Sequence, residues 1–279
     1  MVYKVKDEAT NDFYALKVIY VKNGDLTPNI LRELNLLTDI QHNRILRSEK
    51  SLLYDSRHIC VITKLMKYDL KEVISQQGPI SNDTIKEWMK QMLDGIGQLQ
   101  AMDIIHRDLN PNNILIDVDD NIKIADFGFA RSLYNSNLLT PDAGGVRYSA
   151  LEVLLGAENY GKAADMWSVG CIFSELVTRG TPFDFRQIQI DQSCDHSKSL
   201  NNAVLESIFR KLGTPTETMW PGVSSFLRYP QDTSVVHPMQ VFDVPSTYDD
   251  ANGRSMLEEL MIFFFYGHDA ATKEMFLSD

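Results

Sequence analysis

The sequence predicts an α+β protein whose strands and helices are segregated along the chain. β-Branched and aromatic runs crowd the first quarter, whereas helical apolar periods dominate after Asp69. The change falls between Leu65 and Asp69, separating a smaller first part, residues 1–66, from a larger second part, residues 67–279.

Residues 2–6 and 13–21 read as strands, the second containing Phe13-Tyr14-Ala15-Leu16-Lys17-Val18-Ile19-Tyr20, with Asn11-Asp12 as a turn between them. From Pro28 to about Ile40, the residues Ile30, Leu31, Leu34, Leu37 and Ile40 recur at helical spacing. Thr27 stands where an N-cap belongs and Pro28 at the first helical position. His58 to Thr63 is a further apolar strand. Ser81-Asn82-Asp83 opens a helix through Ile85, Trp88, Met89, Met92, Leu93 and Ile96. Gln187 to Leu200 is polar and aperiodic, which predicts a surface insertion. Leu260 to Tyr266 is too short to span a bilayer and reads as a buried helix.

The 279 residues carry a net charge of −11 with no block of five like charges. Nucleic acid and anionic membrane both attract through clustered Lys and Arg, so neither is expected as a direct partner, whereas a basic peptide is compatible. Cys60, Cys171 and Cys194 are widely separated and show no metal or disulfide spacing. That usage fits a reduced intracellular compartment, nucleus or cytoplasm. The first residues contain no apolar stretch of the kind a signal peptide needs.

The chemistry is concentrated in His106-Arg107-Asp108-Leu109-Asn110-Pro111-Asn112-Asn113, followed eighteen residues after Asp108 by Asp126-Phe127-Gly128. Phosphoryl transfer asks for a base beside the attacking hydroxyl and for oxygen ligands that hold Mg²⁺ on the phosphates. Asp108 suits the first task; Asn113 and Asp126 suit the second. Ile114-Leu115-Ile116, the turn Asp119-Asp120-Asn121 and Ile122-Lys123-Ile124-Ala125 predict a hairpin that returns Asp126 close to Asn113. Asp117, Asp119 and Asn121 also suggest a calcium loop, but Ile122 stands at its sixth position in place of Gly and Gly128 at its twelfth in place of Glu.

These motifs resemble the catalytic loop of protein kinases. Thr27-Pro28-Asn29-Ile30-Leu31-Arg32-Glu33, Asp165-Met166-Trp167, Leu212-Gly213-Thr214-Pro215 and Trp220-Pro221-Gly222-Val223 resemble the cyclin-dependent kinases over nearly the whole chain. Among these, the kinases that activate other cyclin-dependent kinases look nearest. The resemblance implies a bilobal kinase fold, with a small antiparallel-sheet lobe bearing one helix and a larger helical lobe. It implies ATP and Mg²⁺ as cofactors, a protein substrate, and a cyclin or cyclin-like activator on the Thr27–Leu37 helix. Lys17 would pair the ATP phosphates, positioned by Glu33. Val2, Ala15, Thr63, Met66, Asp69, Leu115 and Ala125 would surround purine and ribose. A partner would have to push the helix inward to make the Lys17–Glu33 pair. Thr140, twelve residues before Glu152, falls at the place of the activating phosphothreonine, with Arg32, Arg107 and Arg131 as its guanidinium donors.

The sequence also departs from the pattern. Met1-Val2-Tyr3-Lys4 falls inside what would be the family's second strand, so the Gly-rich loop has no counterpart in this sequence, and the chain stops before the family's last helix. Asn110 stands where the family's catalytic-loop Lys faces the γ-phosphate. At about 4 Å and an effective dielectric near 20, such a charge pair is worth about 4 kcal/mol before desolvation. Gly145 replaces a Thr, and Arg147, Ser149 and Leu151 replace Trp, Arg and Pro. Glu152 lacks the Arg that the family would supply near Tyr266 to Thr272. Two functions are compatible with this pattern. One is a cyclin-dependent-kinase-like serine/threonine kinase; the other is a degenerate kinase that binds a cyclin or clients without turnover. Retention of Lys17, Glu33, Asp108, Asn113 and Asp126 favours the enzyme.

Overall fold

The computed structural model describes every residue except 22–25, 77, 135–138, 140–143, 186–187, 189–195, 231–235, 239–243, 245–247 and 258–279. It begins with β1 (Val2–Lys6), β2 (Phe13–Tyr20), helix α1 (Pro28–Asp39), β3 (Ser48–Asp55) and β4 (His58–Lys64). The four strands form one antiparallel sheet in the order β1-β2-β4-β3. Register places Val2 and Val61 opposite Lys17, and Thr63 opposite Ala15. Directly paired residues, and alternate residues along a strand, share a face, so these five side chains lie on one side of the sheet. Thr27 caps α1 by accepting from the Ile30 N–H at 3.4 Å, with Pro28 opening the helix.

The chain continues through β5 (Tyr68–Asp69), α2 (Leu70–Ser75), α3 (Asn82–Ala101), β6 (Ile104–Ile105), β7 (Ile114–Ile116), β8 (Ile122–Ile124) and β9 (Arg131–Ser132). β5, β7 and β8 make a three-stranded sheet, while β6 pairs with β9. Beyond them come α4 (Leu151–Leu154), α5 (Ala163–Thr178), α6 (His196–Leu212) and a helical stretch at 251–257. Contacts divide the chain into two compact units. One comprises residues 1–78 and 87–135; the other comprises 79–86 and 136–279. The first unit packs Ile45, Leu70, Met92, Leu99, Ile114, Ile124 and Phe127 in its core; the second packs Trp167, Val169, Phe173, Ile208 and Phe209.

Two elements differ from the sequence expectation. The insertion expected over 187–200 gives way to α6 at His196. The first helical turn, His196-Ser197-Lys198-Ser199, contains no apolar residue, so no period announces it. Strand β3 was not anticipated. Only Ser48 of its eight residues is buried, and an edge strand exposed on both faces lacks the alternation that marks strands in sequence. Leu260 to Tyr266 and Cys194 lie outside the described residues, whereas Cys60 and Cys171 are buried free thiols. Among the described residues, no helix is long and apolar enough to cross a membrane.

Candidate active site

β6 leads into residues 106–110 and a 3-10 turn at Pro111–Asn113, which enters β7. Asn113 Nδ2 donates to Asp108 O at 2.8 Å and to the Asp108 carboxylate at 2.9 Å. The β7–β8 hairpin pairs Ile114 with Ile124, and one step beyond that pair Ala125 N donates to Asn113 O at 2.9 Å. Asp126 is the next residue, so the hairpin returns it beside Asn113 as its sequence predicts. Asp108 N donates to His106 Nδ1 at 3.3 Å, which leaves His106 Nε2 to donate to Ala125 O at 2.9 Å. Arg107 and Asp126 hold left-handed φ values of 69° and 64°. For non-glycine residues that costs on the order of 1 kcal/mol each, and such strain concentrates at functional loops.

Lys17 Nζ lies 2.5 Å from Glu33 Oε1 and 3.2 Å from Asp126 Oδ1, joining β2, α1 and the turn after β8. Burial opposes the charge on Lys17, but the Glu33 and Asp126 carboxylates outweigh it, and the Lys17 pKa rises above its ordinary value. This corrects the expectation that a partner must push α1 inward to make the pair. Glu33 is itself buried, and the pair forms within the chain because a half-buried ammonium on β2 needs its carboxylate.

A polar network that the sequence did not reveal holds the hairpin. Arg44 Nη1 donates to Gln91 Oε1 at 2.8 Å and to Asn121 Oδ1 at 2.9 Å, and Ile122 N also donates to Gln91 Oε1 at 2.9 Å. Asp117 Oδ1 accepts from Asp119 N and Asn121 N, each at 2.9 Å, so the calcium-like pattern is a self-capped turn. Arg44 and Gln91 meet across 47 positions, and no local spacing signals such a contact.

A cleft of about 440 Å³ opens on the inner face of the first sheet, a volume suited to a nucleotide-sized ligand. Val2, Ala15, Lys17, Thr63, Met66, Asp69, Asn113, Leu115, Ala125 and Asp126 all line it, together with Leu37, Leu46, Val61 and Asn112. Asp69 also caps α2, accepting from Glu72 N at 2.7 Å. Asp108 is not a lining residue and joins the cleft through Asn113. Asn110 is buried, and its side chain bonds inside the loop. Thr140 and the Arg32 side chain lie outside the described residues. Arg107 is buried, and Arg131 Nη1 donates to Ala130 O at 2.8 Å.

In the second unit, Tyr148 donates its hydroxyl proton to Glu175 Oε2 at 2.5 Å, and Ser168 Oγ donates to Tyr148 O at 2.6 Å. These bonds fasten the segment before α4 to α5. Arg147 lies 4.4 Å over the Phe185 ring, and Ser149 Oγ donates to Gly145 O at 3.2 Å. Asp165, in the first turn of α5, is buried. Glu152 is 5% exposed and has no side-chain partner among the described residues; burial pushes its pKa up to about 7.

A strand-bound lysine paired to a helix glutamate, above a loop that joins Asp108, Asn113 and Asp126, defines a protein kinase. The protein kinase domain model matches residues 1–248. Cyclin-dependent kinase 7 of Dictyostelium discoideum is 34% identical over 271 residues, covering 94% of this chain and 71% of that protein. The chain belongs to the cyclin-dependent kinase family of protein kinases. Among solved structures, the yeast RNA polymerase II CTD kinase CTDK-1 complex matches with a TM-score of 0.76 and 29% identity, over 95% of this chain and 83% of that one. The CAK complex of Chaetomium thermophilum bound to ATP-γ-S matches with a TM-score of 0.74 and 26% identity, over 95% and 79%.

Proposed function

We infer that the chain transfers the γ-phosphoryl group of ATP to serine or threonine hydroxyls of protein substrates, in cell-cycle or transcription control. The observation that carries this is the junction at Lys17, whose one ammonium holds both Glu33 and Asp126 at the wall of the cleft. A catalytically silent binding module has no physical need for that junction.

In this reading Val2, Ala15, Leu115 and Ala125 sandwich the purine, Thr63 closes the back of the pocket, and Met66 and Asp69 stand at its mouth. Lys17 holds the phosphates while Glu33 fixes its position. Asp108 orients the substrate hydroxyl and takes its proton as the oxygen attacks the γ-phosphorus. The bond from that phosphorus to the bridging oxygen breaks, and ADP leaves with the electron pair. The donor set fits Mg²⁺. Asn113 uses its amide nitrogen on Asp108 and keeps its amide oxygen, and the Asp126 side chain is 43% exposed. Mg²⁺ prefers one or two hard oxygen ligands from protein and completes its shell with water and phosphate. Bound by Asn113 and Asp126, it would neutralise charge on the phosphates.

The relatives also support a cyclin or cyclin-like partner and work in nucleus or cytoplasm; the sequence motifs alone suggest the Thr27–Leu37 helix as the partner's seat and a phosphate switch at Thr140 read by Arg32, Arg107 and Arg131. Because the Lys17–Glu33 pair already exists, such a partner would hold α1 in place rather than create the pair. Asp126→Asn should abolish Mg²⁺-dependent transfer. Undiminished turnover in that variant would refute the assignment.

A further inference from the structure

We propose that Arg147 is a specificity-determining residue that docks an anionic side chain, a carboxylate or a phosphorylated residue, of the protein substrate. The inference rests on the phosphotransfer reading, which is what makes a protein the ligand. Arg147 stands in the middle of the 3-10 turn Val146–Tyr148, in the second unit, and it is exposed. Its guanidinium lies 4.4 Å over the ring of Phe185, which is itself buried. Among the described residues the side chain makes no hydrogen bond and no ion pair, so its five N–H donors are left for a ligand.

Two observations set this arginine apart from one that only solvates the surface. The backbone beneath it is fastened. Tyr148 donates its hydroxyl proton to Glu175 Oε2 at 2.5 Å and accepts Ser168 Oγ on its carbonyl at 2.6 Å, while Tyr148 N and Ser149 Oγ both donate to Gly145 O at 3.2 Å. The side chain is held as well, by the cation–π contact with Phe185. An arginine normally gives up much rotamer freedom when it binds; here the turn and the ring have already restricted it, so less is lost on meeting a ligand. The guanidinium fork matches two oxygens of a carboxylate or phosphoryl group. The net charge of −11 narrows the ligand further. It repels an extended polyanion and suits a peptide that is basic overall, within which Arg147 selects one anionic residue at close range.

The test gives the full chain, with Mg²⁺ and ATP, a position-scanned set of serine and threonine peptides that carry Glu, phosphothreonine, Ala or Lys at one flanking position at a time. The same peptides, fluorescently labelled, are titrated by anisotropy, so docking is also read without turnover. One flanking position should favour Glu or phosphothreonine over Lys by about fivefold or more in both readouts. A larger gain from phosphothreonine than from Glu marks a phosphoryl group as the ligand, and the reverse marks a carboxylate. Arg147→Ala should bring that ratio within about twofold, Arg147→Glu should invert it, and Arg147→Lys, which keeps the charge without the fork, should fall between. The Phe185 contact is too weak for its loss to unfold the chain, and Arg147→Lys still decides should the Glu variant not fold. Absence of an anionic preference at every position, or a preference unchanged in Arg147→Glu, would overturn the proposal. So would an oligo(dT) probe that binds more tightly than every anionic peptide and weakens in Arg147→Glu. Asp126→Asn run alongside separates the two readings. If it is inactive while the Arg147 variants leave the ratio unchanged, only the docking fails. If it transfers phosphate as well as the parent, the phosphotransfer reading fails, and the docking stands or falls on the anisotropy ratios.

Discussion

Replacing Glu152 with glutamine should stabilise this protein at neutral and alkaline pH. The carboxyl sits in α4, 5% exposed, with no side-chain partner among the described residues, and burial raises its pKa from 4.5 to about 7. In the unfolded chain it titrates near its ordinary value, so between the two pKa values the folded state holds a proton that the unfolded state has released. The contribution of Glu152 is therefore greatest below pH 4.5 and is lost as pH rises through about 7, where the full shift amounts to about 3 kcal/mol. The glutamine side chain would be neutral throughout and would not bear this cost. Urea unfolding of both proteins should show the variant gaining on the parent by about 2 kcal/mol between pH 5.5 and pH 8. The reasoning fails if the difference is independent of pH. It also fails if Glu152→Gln destabilises by about 3–5 kcal/mol at pH 8, the response of a broken buried ion pair.

Two further outcomes follow from the geometry and from the proposed switch. A Cβ at Gly95 would meet Ile124 Cδ1 at 2.7 Å, Arg44 Cβ at 3.0 Å and Arg44 O at 3.2 Å. Gly95→Ala should therefore cost about 1–3 kcal/mol despite its better helix propensity, and a thermal midpoint equal to or above the parent's would contradict the packing. Thr140→Ala should lower kinase activity recovered from cells; unchanged activity would mean that Arg32, Arg107 and Arg131 read no phosphate there.

Strands β1, β2 and β4, helix α1 with its Thr27 cap, and the β7–β8 hairpin were legible because each announces itself locally. Apolar alternation, helical spacing and an Asp-rich turn all lie within a few residues of what they signal. The residues expected around a nucleotide could be singled out because short motifs mark them, and the structure gathers them along one cleft. What stayed hidden was long-range or polar. The Arg44–Gln91–Asn121 network joins three segments through side chains that sequence reading treats as surface. The state of Glu152 depends on its burial by the tertiary fold, which no local pattern signals. The engagement of Asn110 depends on which way one amide turns. In sequence Asn110 is only the loss of a charge; in the loop it is a cap.

The segment leaving α1 is hydrogen-bonded to β8 on both sides of Ile45, with Leu46 N donating to Ile124 O and Ile124 N donating to Arg44 O, each at 2.8 Å. Asp126 follows two residues later. The C-terminal end of α1 is thereby hinged to the strand that carries a proposed metal ligand, while its N-terminal end at Thr27 is exposed. A partner holding that exposed end would thus act on a helix whose far end leads, through residues 40–44, into the two bonds that anchor the strand before Asp126.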